Sequence, residues 1–456
     1  MSMSCSACFA LLVAGAAGKA APSVSTARPF VAAAPPRAAP APPAVGPRMP
    51  RVDERVTCPV PEEGIEHAVA LMREGLLFRY TYPTGTESPV TTCENALAAY
   101  TGHKYAVAVN SGASALYLSL RAAGVEQGAK VLCNAFTFGA VPSAIVHAGC
   151  EVVYVESGAD YCIDIDDLRD TLREHPDARA LMLSHMRGRV GQMDAIREMC
   201  AEAGVTLLED CAHSLGVRYD GVHTGHHGVA CGVSAQSFKL LNSGEGGFVL
   251  TDDPEVAMRA AVLAGAYETN ADKHKNLPEI EERFATLAVD LPNLSLRMSA
   301  LTSSILIPQV ATLDARIEAY SRRYDALVAN VRASPAANAA LLIPDDLPEV
   351  APVHDELLFT IRTDALARAG GAGAVGAFQA ACAARGLTMN LFGSKTNARN
   401  FVNWKFAPHA RSGPLPRTAD MIQRSFGVRL PLQWSDDDIL AIGDVLDWCA
   451  AEVFGT

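Results

Sequence analysis

The chain of 456 residues is 49% hydrophobic and only 19% charged. This excludes a mostly disordered protein, which needs low hydrophobicity and high net charge, and the length admits one large two-part domain or a few ordinary ones. With 50 acidic against 38 basic side chains and a net charge of −12, no general polyanion-binding surface follows, so nucleic acid is not an expected partner.

Residues 1–52 differ from all that follows. They carry Lys19, Arg28, Arg37, Arg48 and Arg51 without one acid, and Ala32–Pro50 is mostly Ala and Pro. Such a segment cannot build a core and reads as a disordered leader. Basic, Ala/Ser-rich and acid-poor is the composition of an organelle-targeting peptide. The apolar Cys8–Gly18 followed by this stretch resembles the bipartite leader of algal plastid proteins; the alternative is an untargeted tail on a cytoplasmic protein. No apolar run reaches the roughly 18–20 residues of a membrane-spanning helix, so no membrane partner is expected. Of the twelve cysteines only Cys5 and Cys8 are close, inside the leader. A zinc site is therefore not expected, and the other thiols read as reduced and mostly buried.

From Val56 onward the apolar pattern alternates between two periods. Ile65–Leu77 has helical spacing, with Ile65, Val69 and Met72 on one face. The spacing predicts strands at Tyr105–Val109, Val131–Ala135, Val152–Val155, Ala180–Ser184 and Thr206–Leu208, with helices at Ser114–Ala123, Ile165–Glu174 and Met193–Ala203 between them. This alternation predicts an α/β fold, a mainly parallel sheet sandwiched by helices over residues 53–300. A long helix, Ser299–Tyr324, then leads into a smaller α+β domain, 301–456. That part holds a Pro-rich Ile343–Pro352, a strand at Leu357–Arg362 and helices at Val375–Arg385 and Asp436–Phe454.

Ligands of open parallel sheets sit at the carboxyl ends of the strands. After the first strand comes Asn110-Ser111-Gly112-Ala113-Ser114, a small-residue turn into a helix and a candidate phosphate site. After the second comes Ala135-Phe136-Thr137-Phe138, which offers an aromatic face or simply core. Glu209-Asp210-Cys211-Ala212-His213 follows the fifth; an acid behind a buried strand needs a partner. Ser234-Ala235-Gln236-Ser237-Phe238-Lys239 then precedes Ser243-Gly244-Glu245-Gly246-Gly247 and the strand Phe248–Leu250. Burial among apolar and small residues would depress the pKa of Lys239 and favour a Schiff base. An amine, an acid, a phosphate cup and a ring-stacking surface are what pyridoxal 5′-phosphate requires. The nicotinamide alternative lacks GxGxxG after the first strand.

Asn110-Ser111-Gly112, Ala135–Phe138, Glu209–His213, Lys239–Gly247, Arg297–Leu301 and Leu430-Pro431-Leu432 together resemble the DegT/StrS group of nucleotide-sugar aminotransferases, which share the aspartate-aminotransferase fold. The resemblance spans the chain from about Val56 to the C-terminus. It implies that Lys239 forms the Schiff base and moves protons, and that Asp210 pairs with the pyridine nitrogen. It further implies that Phe138 stacks on the ring, His213 stands near the cofactor hydroxyl, and Gly112, Ala113, Ser114 and Ser234 cup the phosphate, with Gln236 close by. The implied reaction is ping-pong amino transfer from glutamate or glutamine to a keto-sugar, nucleotide-linked, or a keto-cyclitol, in a homodimer. Two alternatives share the cofactor: a sugar dehydratase, which in relatives has His in place of Lys239, and a non-catalytic regulatory binder. The chain departs from the group at Gly228-Val229, where Gly-Asp is usual, and at Asn390–Phe406. It departs again at His185-Met186-Arg187-Gly188-Arg189, where Arg187 and Arg189 either bind a substrate anion or lie in a solvated loop. His226-His227 invites a metal reading, but neighbours on an extended chain point apart, and no metal is expected.

Overall fold

The computed structural model describes residues 46–50, 58–83, 86–266, 273–274, 281–408 and 414–455. Most of the expected leader, 1–45 and 51–52, thus lies outside the described residues. Within it, Met49 is 8% exposed in an apolar cluster and its N–H donates to the Arg385 carbonyl. Packed chain therefore begins before residue 53.

Seven strands form the main sheet: β1 Tyr105–Val109, β2 Lys130–Asn134, β3 Glu151–Val155, β4 Ala178–Ser184, β5 Thr206–Asp210, β6 Ala230–Ser234 and β7 Gly247–Thr251. Their order is β1-β7-β6-β5-β4-β2-β3. Neighbours from β6 to β3 are parallel, and β7 runs antiparallel between β1 and β6. The expected mainly parallel sheet is present. Its strands are apolar at successive positions because both faces are buried. Leu181 and Leu183 enter one core, while Ala180 and Met182 enter the other. The helices Ile165–Glu174 and Met193–Ala203 cover the first face, and Gly112–Ala122 and Ala140–His147 the second.

A sheet edge needs protection from foreign strands. At β1 a carboxylate supplies it. Glu94, on the helix Pro89–Thr101, accepts the Ala108 N–H at 2.8 Å. Both its oxygens also receive Arg79, Nη1 and Nη2 each at 2.7 Å, and the two side chains are 0% and 4% exposed. Removing one partner strands the other charge in the core. Glu94→Ala is therefore expected to lose about 3–5 kcal/mol, read by chemical denaturation; a loss below about 1 kcal/mol would contradict the pair's role.

A second sheet of four antiparallel strands has the order Leu341–Leu342, Glu356–Ile361, Ser425–Arg429, Asn390–Leu391. Its core takes Phe359 and Phe426 from the sheet, Phe378 from Gly373–Ala384 and Ile442 and Leu446 from Asp436–Phe454. The expected single helix Ser299–Tyr324 needs correction: the structure has two, Ala300–Ala311 and Leu313–Ala333. Pro308 has no N–H to donate, and the Thr312 hydroxyl donates to the Pro308 carbonyl at 2.9 Å. That side-chain bond replaces a backbone one and lets the chain break at Thr312. Likewise Ile65–Leu77 is found as Glu62–Glu74, because Gly75 ends the helix with φ 75°. The ten cysteines among the described residues are buried and form no disulfide. Among those residues no helix is long and apolar enough to cross a membrane.

Candidate active site

The carboxyl ends of β1, β4, β5 and β6 converge on one cavity of about 400 Å³. Gly112, Ala113, Phe138, Asp210, His213, Ser234, Gln236 and Lys239 all line it. Segments more than a hundred residues apart in sequence are thereby brought together.

Glycines permit the approach. A Cβ on Gly112 would lie 2.7 Å from the Ser234 Cβ, and one on Gly247 would lie 2.4 Å from the Ser111 carbonyl oxygen. The Gly-rich run after Lys239 thus seats the lysine loop against the turn that opens the helix Gly112–Ala122. The loop closes on itself through Ala235 N–H to Gly246 O and Ser243 N–H to Ala235 O, both at 2.9 Å. Lys239 sits in this loop, five residues beyond β6, and not on a strand.

The Lys239 Nζ lies 2.7 Å from His213 Nε2. Burial, then the charge of Arg187, pushes Lys239 from the ordinary amine range down to about 7, against the pull of Asp210. Burial, then Lys239 and the nearby arginines, pushes His213 well below the ordinary imidazole range. The consequence has a sign. As pH rises through about 7, Lys239 loses its proton and becomes a nucleophile. Borohydride trapping of pyridoxal on Lys239 should therefore be low at pH ~6 and near-complete by ~8, whereas ordinary lysines react toward ~10.4. Peptide mass spectrometry across pH reads the midpoint, and a value near 10 would refute the depressed amine.

Asp210 ends β5 and is 5% exposed. Its Oδ2 accepts the Ser184 hydroxyl at 2.8 Å and its Oδ1 the Ala212 N–H at 3.1 Å. Glu209 points to the other side of the strand. Burial alone would push its carboxyl up, but His185 Nε2 at 2.8 Å, the charge of His227 and the Gly225 N–H hold it down at about 2, and the Gly228 N–H also donates to it at 2.7 Å. His185, Glu209 and Cys211 are near enough to share an ion, yet these bonds already occupy both Glu209 oxygens, and the group reads as a brace behind Asp210. Of the histidine pair, His226 stacks on His103 with centroids 3.6 Å apart and pairs with Asp252 at 3.0 Å.

Other expected positions come out differently. Ser114 is outside the cavity lining. Its hydroxyl donates to Asn110 Oδ1 at 2.7 Å, its N–H goes to Ser111 Oγ at 3.1 Å, and it faces a neighbouring groove with Tyr117 and Leu294. The first two N–H groups of the helix, those of Gly112 and Ala113, have no acceptor within it. Phe138 is 42% exposed and open to the cavity, while Phe136 is wholly buried in core. Arg297 donates to the Gly265 carbonyl at 2.8 Å and lies over Phe78. Neither Arg187 nor Arg189 is solvated. Arg189 pairs with Asp346 at 3.0 Å, and Arg187 lines the cavity. Glu245, Arg399 and Arg429 also line it. Sequence reasoning missed these three; Arg399 and Arg429 reach the site from the second sheet and its loops, and no local pattern marks them.

The model of a family described as the DegT/DnrJ/EryC1/StrS aminotransferase family matches residues 81–399. The chain is similar to 3-amino-5-hydroxybenzoate synthase of Amycolatopsis mediterranei (strain S699), 31% identical over 52% of this chain and 58% of that protein. It is also similar to L-glutamine:scyllo-inosose aminotransferase of Streptomyces griseus, 34% identical over 39% of this chain. The match spans 42% of that relative, so both curated relatives are covered for less than two thirds of their length. The solved structure of 3-amino-5-hydroxybenzoic acid synthase superposes with a TM-score of 0.71, covering 90% of this chain and 100% of that one at 22% identity, a likeness of fold.

Proposed function

The chain belongs to the DegT/DnrJ/EryC1/StrS aminotransferase family, and from that premise we propose that it is a pyridoxal-phosphate-dependent aminotransferase. It would take an amino group from glutamate or glutamine and pass it to a keto-sugar, nucleotide-linked, or to a keto-cyclitol, by a ping-pong course. The observation that carries this reading is the depressed amine of Lys239 sharing one cavity with the carboxylate of Asp210. The similarity to the L-glutamine:scyllo-inosose aminotransferase of Streptomyces griseus supports the donor and the cyclitol option.

The residues present fit the cofactor. The N–H groups of Gly112 and Ala113, at a helix N-terminus, and the Ser234 hydroxyl would receive its phosphate. Asp210, fixed by Ser184 and Ala212, would hold the proton on the ring nitrogen. Phe138 would cover the ring, His213 would stand beside its hydroxyl, and Gln236 would line the phosphate side. When bound, pyridoxal phosphate supplies an aldehyde for amine exchange and an electron-accepting ring. Lys239, about half unprotonated near pH 7, would then take a proton from the substrate α-carbon and return it as a general acid. His213, pressed below its ordinary pKa, lies within hydrogen-bond reach of Nζ and would aim it.

The test mixes protein, pyridoxal phosphate and glutamate or glutamine. Release of the keto acid with a changed visible spectrum is expected. An unchanged spectrum and no keto acid would leave only a regulatory binder. Two further parts of the reading have their own tests. A homodimer fits the exposed apolar side chains Phe78, Val289 and Leu294, and a monomer in sedimentation would exclude it. The acid-poor composition of residues 1–52 fits a plastid leader, which cytosolic retention of a fused reporter would exclude.

A further inference from the structure

Three arginines line the cavity, and two of them, Arg187 and Arg399, keep buried guanidinium atoms without a partner. Arg187 comes from the turn after β4, Arg399 from the loop after Asn390–Leu391, and Arg429 from the end of Ser425–Arg429. Arg187 is 2% exposed, and its Nη1 lies 2.5 Å from Glu356 Oε2, while its buried Nε and Nη2 have no partner in the structure. The buried Nε of Arg399 has none either. Leaving a charged donor buried and unmet is costly. Arg187 also holds a left-handed backbone, φ 59° and ψ 29°, a strained state for a side-chain-bearing residue that persists where surroundings enforce it. Aromatic faces orient the other two: Arg399 lies 5.5 Å from the Phe138 ring centroid and Arg429 4.0 Å from that of Phe238. The opposing charges are Glu356, Asp355, Glu245 and Asp210. Glu356 pairs with Arg187 alone through Nη1. Burial, then the charge of Arg187, presses Arg399 down to about 9. Planar guanidinium forks of this kind match a carboxylate or phosphate.

We propose that Arg187, Arg399 and Arg429 form a second oxyanion seat, for a carboxylate or phosphate borne on the ring of the amino acceptor itself. The acceptor is then an acidic keto-cyclitol or keto-sugar, not a neutral one. This rests on the aminotransferase reading and narrows its acceptor. The cofactor's phosphate would have its own seat at the helix N-terminus and Ser234, on the β1 side.

The test is calorimetric titration of the full-length, pyridoxal-phosphate-loaded protein with glucose, glucuronate, glucose 6-phosphate and UDP-glucose. Glucuronate or glucose 6-phosphate should bind at least about tenfold more tightly than glucose. Whichever acid binds shows whether carboxylate or phosphate is preferred. Arg399→Leu and Arg429→Leu should each erase the preference and leave pyridoxal phosphate affinity unchanged. Because Arg187→Leu alone would strand Glu356, it is made together with Glu356→Leu, with the same loss expected. Equal binding of glucose and both acids would overturn the proposal. So would arginine dependence confined to UDP-glucose, a matching loss of glutamate affinity, or a matching loss of the cofactor. Failure of the underlying reading shows separately, as no keto acid from glutamate, while the binding comparison stays readable.

Discussion

Lys239→Ala is expected to lower amino transfer by about ten-thousand-fold or more with the fold retained. Three features require it. The amine is the one lysine lining the cavity among the described residues. It is held near neutrality at about 7, so it can both accept and return a proton at physiological pH. Its neighbour cannot take over, because burial and the surrounding cations push His213 well below the range of a useful base. The fold should survive, since Lys239 faces a cavity and its loop is closed by backbone bonds that alanine keeps. Keto acid release in single turnover, the visible spectrum and the melting temperature read the three parts. Transfer above about one hundredth of the wild-type rate would remove Lys239 from the mechanism.

The site was readable where chemistry is local, and unreadable where it is assembled. Asn110–Ser114, Glu209–His213 and Ser234–Gly247 each follow a strand of the sheet, so a periodic pattern plus the rule of carboxyl ends finds them. The strand Tyr105–Val109 and the helices Ile165–Glu174, Met193–Ala203 and Asp436–Phe454 have the bounds their patterns predict, because apolar spacing and capping agree there. Ser435 and Asp438, for example, make a reciprocal cap. The break at Thr312 was hidden because a hydroxyl bond to Pro308 leaves the apolar period intact. Arg399 and Arg429 were hidden for a different reason. Their neighbours in sequence are ordinary loop and strand residues, and only the second sheet's docking brings them beside Arg187. Ser114 shows the converse: a hydroxyl in the right segment is turned away by Asn110, a competition that one-dimensional spacing does not record.

Asp210→Asn should cost about a hundred- to a thousand-fold in turnover at little cost in stability, and the hydrogen bonds explain why the two separate. Ala212 N–H can only donate, so the amide oxygen must stay on it. The new NH₂ then faces Ser184, whose hydroxyl rotates to accept instead of donating. Geometry survives and the negative charge does not. A neutral amide holds the ring nitrogen's proton poorly, because an opposite charge within contact is what favours the cationic form. The Glu209 brace on the reverse side of β5 is untouched, with His185, Gly225 and Gly228 still in place, so the strand keeps its register. Unfolding and cofactor retention measured beside the half-reaction rate distinguish a lost charge from a lost fold. A variant that keeps the wild-type rate would show that residue 210 does not govern protonation of the ring.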